Sequence, residues 1–236
     1  MNKPVDIPAA DLVVRVPAVT LPVAGSSQRF QVGRIYCVGR NYADHAREMG
    51  HDPDREPPFF FMKPADAIID HGAKIPFPQV TKDLHHEIEM VVALHKGGND
   101  IPVEKALEHV WGYGVGLDMT RRDIQGEAKK MQRPWEMGKA FDNSAPCTAL
   151  VSASKIGHPA KGEIWLKVNG EVKQKGTLDQ MIWSVPEMIS YLSHTITLRP
   201  GDLIYSGTPA GVSQVKKGYK LEGHVDGVGD LLVTYL

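Results

Sequence analysis

The chain of 236 residues has only two cysteines, Cys37 and Cys147, and no apolar run of membrane-spanning length. Two cysteines are too few for a disulfide framework or for a metal site built from thiolates. A membrane-spanning helix needs about 20 consecutive apolar residues. Residues 1–19 are interrupted by prolines and acidic residues, unlike the apolar core of a signal peptide. We therefore expect a soluble protein, with the cytoplasm as its default compartment.

The chain also lacks an excess of either charge, since 27 basic and 28 acidic residues give a formal net charge of −1. Nucleic-acid-binding proteins usually carry a basic surplus, so we expect neither nucleic acid nor a membrane as a partner. The 42% of hydrophobic residues suffice for one large core. We predict an N-terminal strand and linker over residues 1–30 and a catalytic domain over residues 31–236.

Short apolar or β-branched runs recur along the chain, each bounded by Gly, Pro, Asn or Asp, as is typical of strands. The Asn169-Gly170 pair predicts a tight hairpin turn, because both residues tolerate positive φ. Helical patterns are fewer: residues 41–49, 103–109, a segment after Thr120, and 184–192. Strands outnumber helices without alternating with them, which predicts a β-rich α+β fold. We expect a mixed, mostly antiparallel sandwich or roll with short peripheral helices. The predicted strands are residues 35–38, 59–62, 88–94, 112–119, 164–168, 203–205 and 231–235.

Two glutamates, Glu87 and Glu89, stand at the start of a predicted strand that is otherwise apolar. Side chains two apart on a strand face the same side, so these carboxylates project together. Burying like charges so close together is costly, and a bound cation would offset the cost. A half-exposed strand with both glutamates in water is the simpler alternative.

A third carboxylate, Asp118, ends the apolar, Gly-rich run of residues 111–118. Three carboxylates without a cysteine favour a hard cation, Mg²⁺ first and Mn²⁺ second. The neighbouring His85 and His86 would point to opposite sides of a strand, so they cannot both bind one ion.

Two further pairs of polar residues are spaced three apart in predicted helices. His45 and Glu48 fit a general base with its orienting carboxylate, and equally an ordinary surface pair. Arg122 and Gln125 share one helical face, which fits substrate binding or a solvated face.

Seven segments in order resemble motifs of the fumarylacetoacetate hydrolase family, covering the chain from about Arg34 to its end. The departures are Ser213-Gln214, where the family usually has Gly-Pro, and Gly218-Tyr219, where Gly-Asp is usual. Within the family the acylpyruvase branch is most similar, with fumarylpyruvate of bacterial gentisate breakdown as the implied substrate. The segments are residues 36–49 (YCVGRNYADHAREM), 61–64 (FMKP), 86–89 (HEIE), 116–123 (GLDMTRRD), 138–142 (GKAFD), 168–171 (VNGE) and 207–212 (GTPAGV).

This resemblance implies the family's fold and a hydrolase that cleaves the C–C bond of an acylpyruvate, a 2,4-diketo acid. It implies three groups of site residues: Glu87, Glu89 and Asp118 as ligands of Mg²⁺ or Mn²⁺; His45, Glu48 and Lys139 as catalytic groups; and Arg122, Gln125 and Thr208 as substrate-binding groups. Arg122 and Gln125 would hold either the carboxylate or the acyl oxygen of the substrate. A homodimer is also implied.

Other activities of the same family remain open: an oxaloacetate decarboxylase or tautomerase, or a 2-keto acid hydratase-isomerase. All of these reactions share an enolate that a metal stabilises. The His45–Glu48 pair favours hydrolysis, since decarboxylation needs no activated water. A non-catalytic metal-binding protein is the remote alternative.

Overall fold

The computed structural model describes residue 8 and residues 11–48 and 56–236, and strands predominate among them. The strands are, in chain order, β1 (Thr20–Pro22), β2 (Arg29–Gln31), β3 (Ile35–Gly39), β4 (Phe59–Lys63), β5 (Ile68–Asp70), β6 (Lys74–Ile75), β7 (Leu84–His85), β8 (Ile88–Leu94), β9 (Val110–Leu117), β10 (Thr120–Arg121), β11 (Ala145–Cys147), β12 (Val151–Ser152), β13 (Glu163–Val168), β14 (Glu171–Thr177), β15 (Leu203–Tyr205), β16 (Gln214–Val215), β17 (Lys220–Val225) and β18 (Gly229–Tyr235). Each predicted strand overlaps one of them.

The helices are short and lie between the strands. A capping box at α5 joins Ser184 to Glu187, whose Oε2 accepts from the Ser184 backbone N–H at 2.9 Å. The predicted helix over 103–109 is a 3₁₀ helix, and residue 49 of the predicted helix 41–49 lies outside the described residues. The α-helices are α1 (Ala43–Glu48), α2 (Arg122–Lys130), α3 (Glu136–Lys139), α4 (Ala153–Ile156) and α5 (Val185–Thr195), and the 3₁₀ helices are Ala65–Ala67, Val103–His109 and Leu178–Gln180.

Two large sheets form the body. An eight-stranded sheet has the order β4-β3-β15-β8-β9-β11-β5, with β12 also paired to β9, and a five-stranded sheet has the order β14-β13-β17-β18-β6. Most neighbours are antiparallel, whereas β3 with β15, β5 with β11 and β6 with β18 are parallel. The predicted class, a β-rich, mostly antiparallel α+β fold with short helices, is therefore confirmed.

Strand β8 is buried along its whole length. Met90 and Val92 belong to the core cluster that also contains residues of the five-stranded sheet, such as Leu166. Val91 and Ala93 point the other way, into a second cluster on the opposite face. A strand covered on both faces is apolar at nearly every position, and apart from Glu89 at its cavity end β8 shows no polar alternation.

The glycines of β9 permit close packing on the second face. A Cβ added to Gly116 would lie 2.6 Å from Val91 Cγ2 and 2.7 Å from Tyr205 Cε1. Tyr113 and Val115 point into the first core cluster instead. The alternation of glycine with large residues along β9 therefore leaves one face of the strand without side chains, so that it packs closely, and places core side chains on the other face.

Two further sequence predictions concern the turn and the N-terminal segment. Asn169 and Gly170 have φ of 51° and 84° and join β13 to β14, so the hairpin is confirmed. Leu21 of β1 is fully buried in the second cluster. The boundary at residue 30 stays a prediction. Within the described part of the chain, no helix has the length and apolar character needed to cross a membrane.

We expect Gly116→Ala to lower the free energy of unfolding by about 1–3 kcal/mol, the usual cost of overpacking a well-packed core. Gly126→Ala is the matched control, because a Cβ there meets nothing within 4 Å and Gly126 lies inside α2. That control should gain about 0.5–1 kcal/mol from helix propensity. Denaturant unfolding of both variants measures the difference, and an equal effect at the two glycines would contradict the packing argument.

Candidate active site and metal centre

The three predicted carboxylates meet at one end of the β8–β9 pair. Glu89 lies opposite Gly116, and the Asp118 backbone N–H donates to the Glu87 carbonyl at 2.9 Å. One oxygen from each of Glu87, Glu89 and Asp118 lies within 4.8 Å of the other two, and each residue is at most 5% exposed. The antiparallel register therefore brings together carboxylates about 30 positions apart, and the exposed-strand alternative is wrong.

Basic side chains surround this cluster. Lys139 Nζ donates to Glu87 Oε2 at 2.8 Å, Asp118 Oδ2 at 2.6 Å and Thr120 Oγ1 at 2.7 Å. Lys63 Nζ lies 2.8 Å from Asp118 Oδ1, and Arg122 pairs with Glu87. All three ammonium hydrogens of Lys139 are engaged by protein oxygens, so one must be released before Lys139 can contact a substrate. Its predicted catalytic role stays a prediction.

The environment drives the pKa values of the two glutamates apart. Burial opposes ionisation of Glu87, but Lys139 and Arg122 outweigh it and hold the pKa well below its usual value of 4.5. Burial raises the pKa of Glu89 well above 4.5, and Asp118 and Glu87 add repulsion. The Gly207 N–H, which donates to Glu89 Oε2 at 2.8 Å, counters this only in part.

These observations fit a hard divalent cation. The donor set consists of carboxylate oxygens, as Mg²⁺ and Mn²⁺ prefer. Burial and repulsion by Asp118 and Glu87 raise the pKa of Glu89. The Gly207 N–H and Lys139 offset this rise only in part, so a bound cation would stabilise the charged form of Glu89. Glu87, Glu89 and Asp118 would hold the ion, with remaining positions left for water or substrate oxygens.

His45 and Glu48 form a pair in α1. His45 Nδ1 lies 3.3 Å from Glu48 Oε2, and the Gly211 N–H donates to both Glu48 oxygens, at 3.2 and 3.1 Å. His45 is only 7% exposed, and burial lowers the pKa of its imidazole below 6.5. The surface-pair alternative is therefore wrong for His45, and its other ring nitrogen makes no hydrogen bond to any of the described residues.

The predicted substrate-binding residues share hydrogen bonds with their neighbours. Arg122 Nη1 donates to Gln125 Oε1 at 2.7 Å, as expected for one helical face. Thr208 Oγ1 accepts from Gln174 Nε2 at 2.8 Å, which leaves the hydroxyl hydrogen of Thr208 available to a ligand. Gln174 Oε1 lies 2.8 Å from His86 Nδ1, so this buried amide ties Thr208 to the strand that carries the glutamates.

Eight of the nine predicted residues line one cavity of about 40 Å³, and the ninth, Glu48, contacts His45. A volume of this size holds a few water molecules. The sequence analysis assigned no role to four residues of the site and its surroundings, which are Arg40, Lys63, Lys129 and Gln174. Lys63 lies within a quoted motif and Gln174 is remote in sequence. No local sequence pattern marks Lys63 or Gln174 as a neighbour of the carboxylates.

Fold and site together define a class of protein with a β-rich α+β fold and a buried carboxylate cluster that could hold a metal ion. The family model described as fumarylacetoacetate (FAA) hydrolase C-terminal matches residues 34–234. The chain belongs to the fumarylacetoacetate hydrolase family.

Three individual relatives show how similar this chain is to known proteins. The chain is 54% identical to the fumarylpyruvate hydrolase of Pseudomonas aeruginosa, solved with Mn²⁺ and pyruvate, with a TM-score of 0.93 over 95% of this chain and 98% of that one. It is 46% identical to the mitochondrial oxaloacetate tautomerase FAHD1 of Mus musculus over 82% of this chain and 87% of the relative. It is 41% identical to the uncharacterized protein PH0643 of Pyrococcus horikoshii over 91% and 93%.

The raised pKa of Glu89 predicts a pH dependence of stability in the metal-free protein. The folded chain keeps a proton that the unfolded chain releases near pH 4.5, so stability falls as the pH rises from 4.5 through the folded pKa. The slope should reach about 1.4 kcal/mol per pH unit for this one group. Glu89→Gln should remove that contribution, as measured by denaturant unfolding in EDTA between about pH 5 and 8. Parallel stability curves for the two proteins would refute the assignment.

Proposed function

We propose that this protein is a metal-dependent hydrolase that cleaves the bond between carbons 3 and 4 of an acylpyruvate, with fumarylpyruvate as the expected substrate. The proposal rests on one observation: the buried His45, paired with Glu48, faces the same cavity as the three carboxylates. A base, a hard-cation site and hydrogen-bond donors thus converge on a space that a 2,4-diketo acid would enter. The similarity to the fumarylpyruvate hydrolase of Pseudomonas aeruginosa supports the substrate.

His45 supplies the base in this reaction. Its lowered pKa keeps the imidazole neutral at neutral pH, and Glu48 orients the ring through Nδ1. The other ring nitrogen takes a proton from a water molecule, whose oxygen attacks the 4-keto carbon. The bond between carbons 3 and 4 then breaks, its electron pair passes into the pyruvate enolate, and carbon 3 is protonated to give pyruvate and the free acid.

The remaining residues bind the substrate and stabilise the negative charge that develops on it. Glu87, Glu89 and Asp118 would hold a Mg²⁺ or Mn²⁺ ion, which would supply Lewis-acid stabilisation of that charge. Thr208 donates its hydroxyl hydrogen to the substrate carboxylate, and Arg122 and Gln125 hold the acyl oxygen. Lys139 adds positive charge beside the developing enolate.

A second candidate is oxaloacetate tautomerase, favoured by the 46% identity to the mitochondrial enzyme of Mus musculus. Enolisation of oxaloacetate uses the same cation site but no attacking water. Pyruvate release from fumarylpyruvate, maleylpyruvate and acetylpyruvate, measured beside the ultraviolet change of oxaloacetate enol, separates the two activities.

The metal requirement gives the first test of this proposal. EDTA should abolish turnover, and Mg²⁺ or Mn²⁺ should restore it, because three carboxylates without a cation cannot stabilise an enolate. Glu89→Gln should lose turnover and also the rise in melting temperature that the ion gives the wild type. Full activity in metal-free buffer would sink the proposal.

The role of His45 gives the second test. His45→Ala should slow hydrolysis roughly 100- to 10,000-fold, the range typical of acid–base groups, while metal-assisted decarboxylation of oxaloacetate should fall much less. Glu48→Gln should give a milder loss, because it disturbs only the orientation and basicity of the imidazole. Both reactions are measured at saturating Mg²⁺. Equal losses in the two reactions would show that His45 binds substrate rather than activates water.

A further inference from the structure

Two cations lie on two neighbouring aromatic rings beside the cavity. The guanidinium carbon of Arg40 is 5.3 Å from the centre of the Phe59 ring, and Lys129 Nζ is 4.9 Å from the centre of the Trp135 ring. The two rings meet edge to face, with centres 5.4 Å apart. All four residues line the cavity, so the aromatic pair holds two positive charges side by side at its wall.

Neither cation is neutralised as the inner ones are. No carboxylate of the described residues lies within 4.0 Å of Lys129 Nζ, and the ion pair of Arg40 reaches the exposed Glu56 only at 3.9 Å. Lys139, in contrast, lies 2.6 Å from Asp118. Burial and then repulsion by the surrounding cations, Arg40 among them, lower the pKa of Lys129 to about 8, as expected where positive charge is unmatched.

The backbone at Arg40 is held in an uncommon conformation. Its φ is 58°, in the left-handed region that non-glycine residues rarely adopt. The next side chain, Asn41, is fully buried and donates to the Ser206 and Trp183 carbonyls at 2.8 and 2.9 Å. Strain of this kind persists only where the surroundings enforce it, and it clusters at functional sites.

Helix α2 connects these cations to the carboxylates. Arg122, Gln125 and Lys129 lie on one helical face, and Arg122 pairs with Glu87. Lys129 lies seven positions after Arg122, which is about 10 Å along the helix axis. An extended substrate whose keto-acid end binds at the carboxylates would therefore extend its acyl group toward Arg40 and Lys129.

We propose that Arg40 and Lys129 form a subsite for a second carboxylate at the far end of the acyl group. Four cations and three carboxylates line the cavity even before a divalent ion is added, so a dianion matches its charge better than a monoanion. The subsite selects acylpyruvates with a carboxylate at both ends. This inference rests on the proposed hydrolase function.

Turnover of a matched pair of substrates tests the subsite. Fumarylpyruvate carries the second carboxylate and acetylpyruvate lacks it. The ratio of their kcat/KM values should fall about 10- to 100-fold in Lys129→Met, mainly through the KM of fumarylpyruvate, as for a lost charge-assisted hydrogen bond. Arg40→Asn should act alike, because Asn tolerates positive φ. Lys130→Met, the same change on the exposed side of α2, should leave the ratio intact. An unchanged ratio in Lys129→Met and Arg40→Asn overturns the subsite.

Binding of fumarate and crotonate to the Mn²⁺-loaded protein separates this inference from the hydrolase proposal. Both are four-carbon unsaturated acids, and only fumarate has the second carboxylate. Calorimetry should show that the wild type and Lys130→Met prefer fumarate and that Lys129→Met does not. A wild type that prefers fumarate but hydrolyses neither substrate refutes the hydrolase and supports the subsite. A wild type with no preference for fumarate overturns the subsite, whatever its turnover.

Discussion

The rest of the site depends on three carboxylates held close together inside the protein. Each buried charge costs several kcal/mol unless a counter-charge or hydrogen bond offsets it. Lys139 and Lys63 provide that offset for Asp118, and Lys139 also for Glu87, whereas Glu89 receives one backbone N–H and a raised pKa. The protein therefore offsets the charges of Glu87 and Asp118 with its own lysines. The charge of Glu89 is left for a bound cation to offset.

The sheet makes this concentration of charge possible. Glu87 and Asp118 lie just outside the ends of β8 and β9, where the ladder ends and side chains reach a cavity instead of the core. The strands behind them are apolar on both faces, and glycines such as Gly116 let the second face pack against the backbone. A rigid, dry scaffold of this kind strengthens every electrostatic interaction at its edge.

The two parts of the cavity differ in charge. Its inner part combines the three carboxylates with His45. Its wall near α2 carries Arg40 and Lys129, whose positive charges are little offset by carboxylates of the described residues. Under the proposed function, the carboxylates and their cation would serve hydrolysis and tautomerisation alike, because both reactions pass through a pyruvate-type enolate. Hydrolysis would also need His45 and Glu48 to activate water, and the wall near α2 would meet the acyl group.

Sequence alone determined the seven strands predicted above, the hairpin at Asn169-Gly170 and the carboxylates, because these follow from periodicity, turn chemistry and residues adjacent along the chain. The apolar run in the sequence indicates that β8 is a strand buried on both faces. The sequence does not show which strands pair with β8. Only the tertiary structure decided that Lys63 and Gln174 support the site and that Arg40 and Lys129 stand together. These residues meet through pairings between distant segments, and a side chain's charge environment is set by what packs against it rather than by its neighbours in sequence.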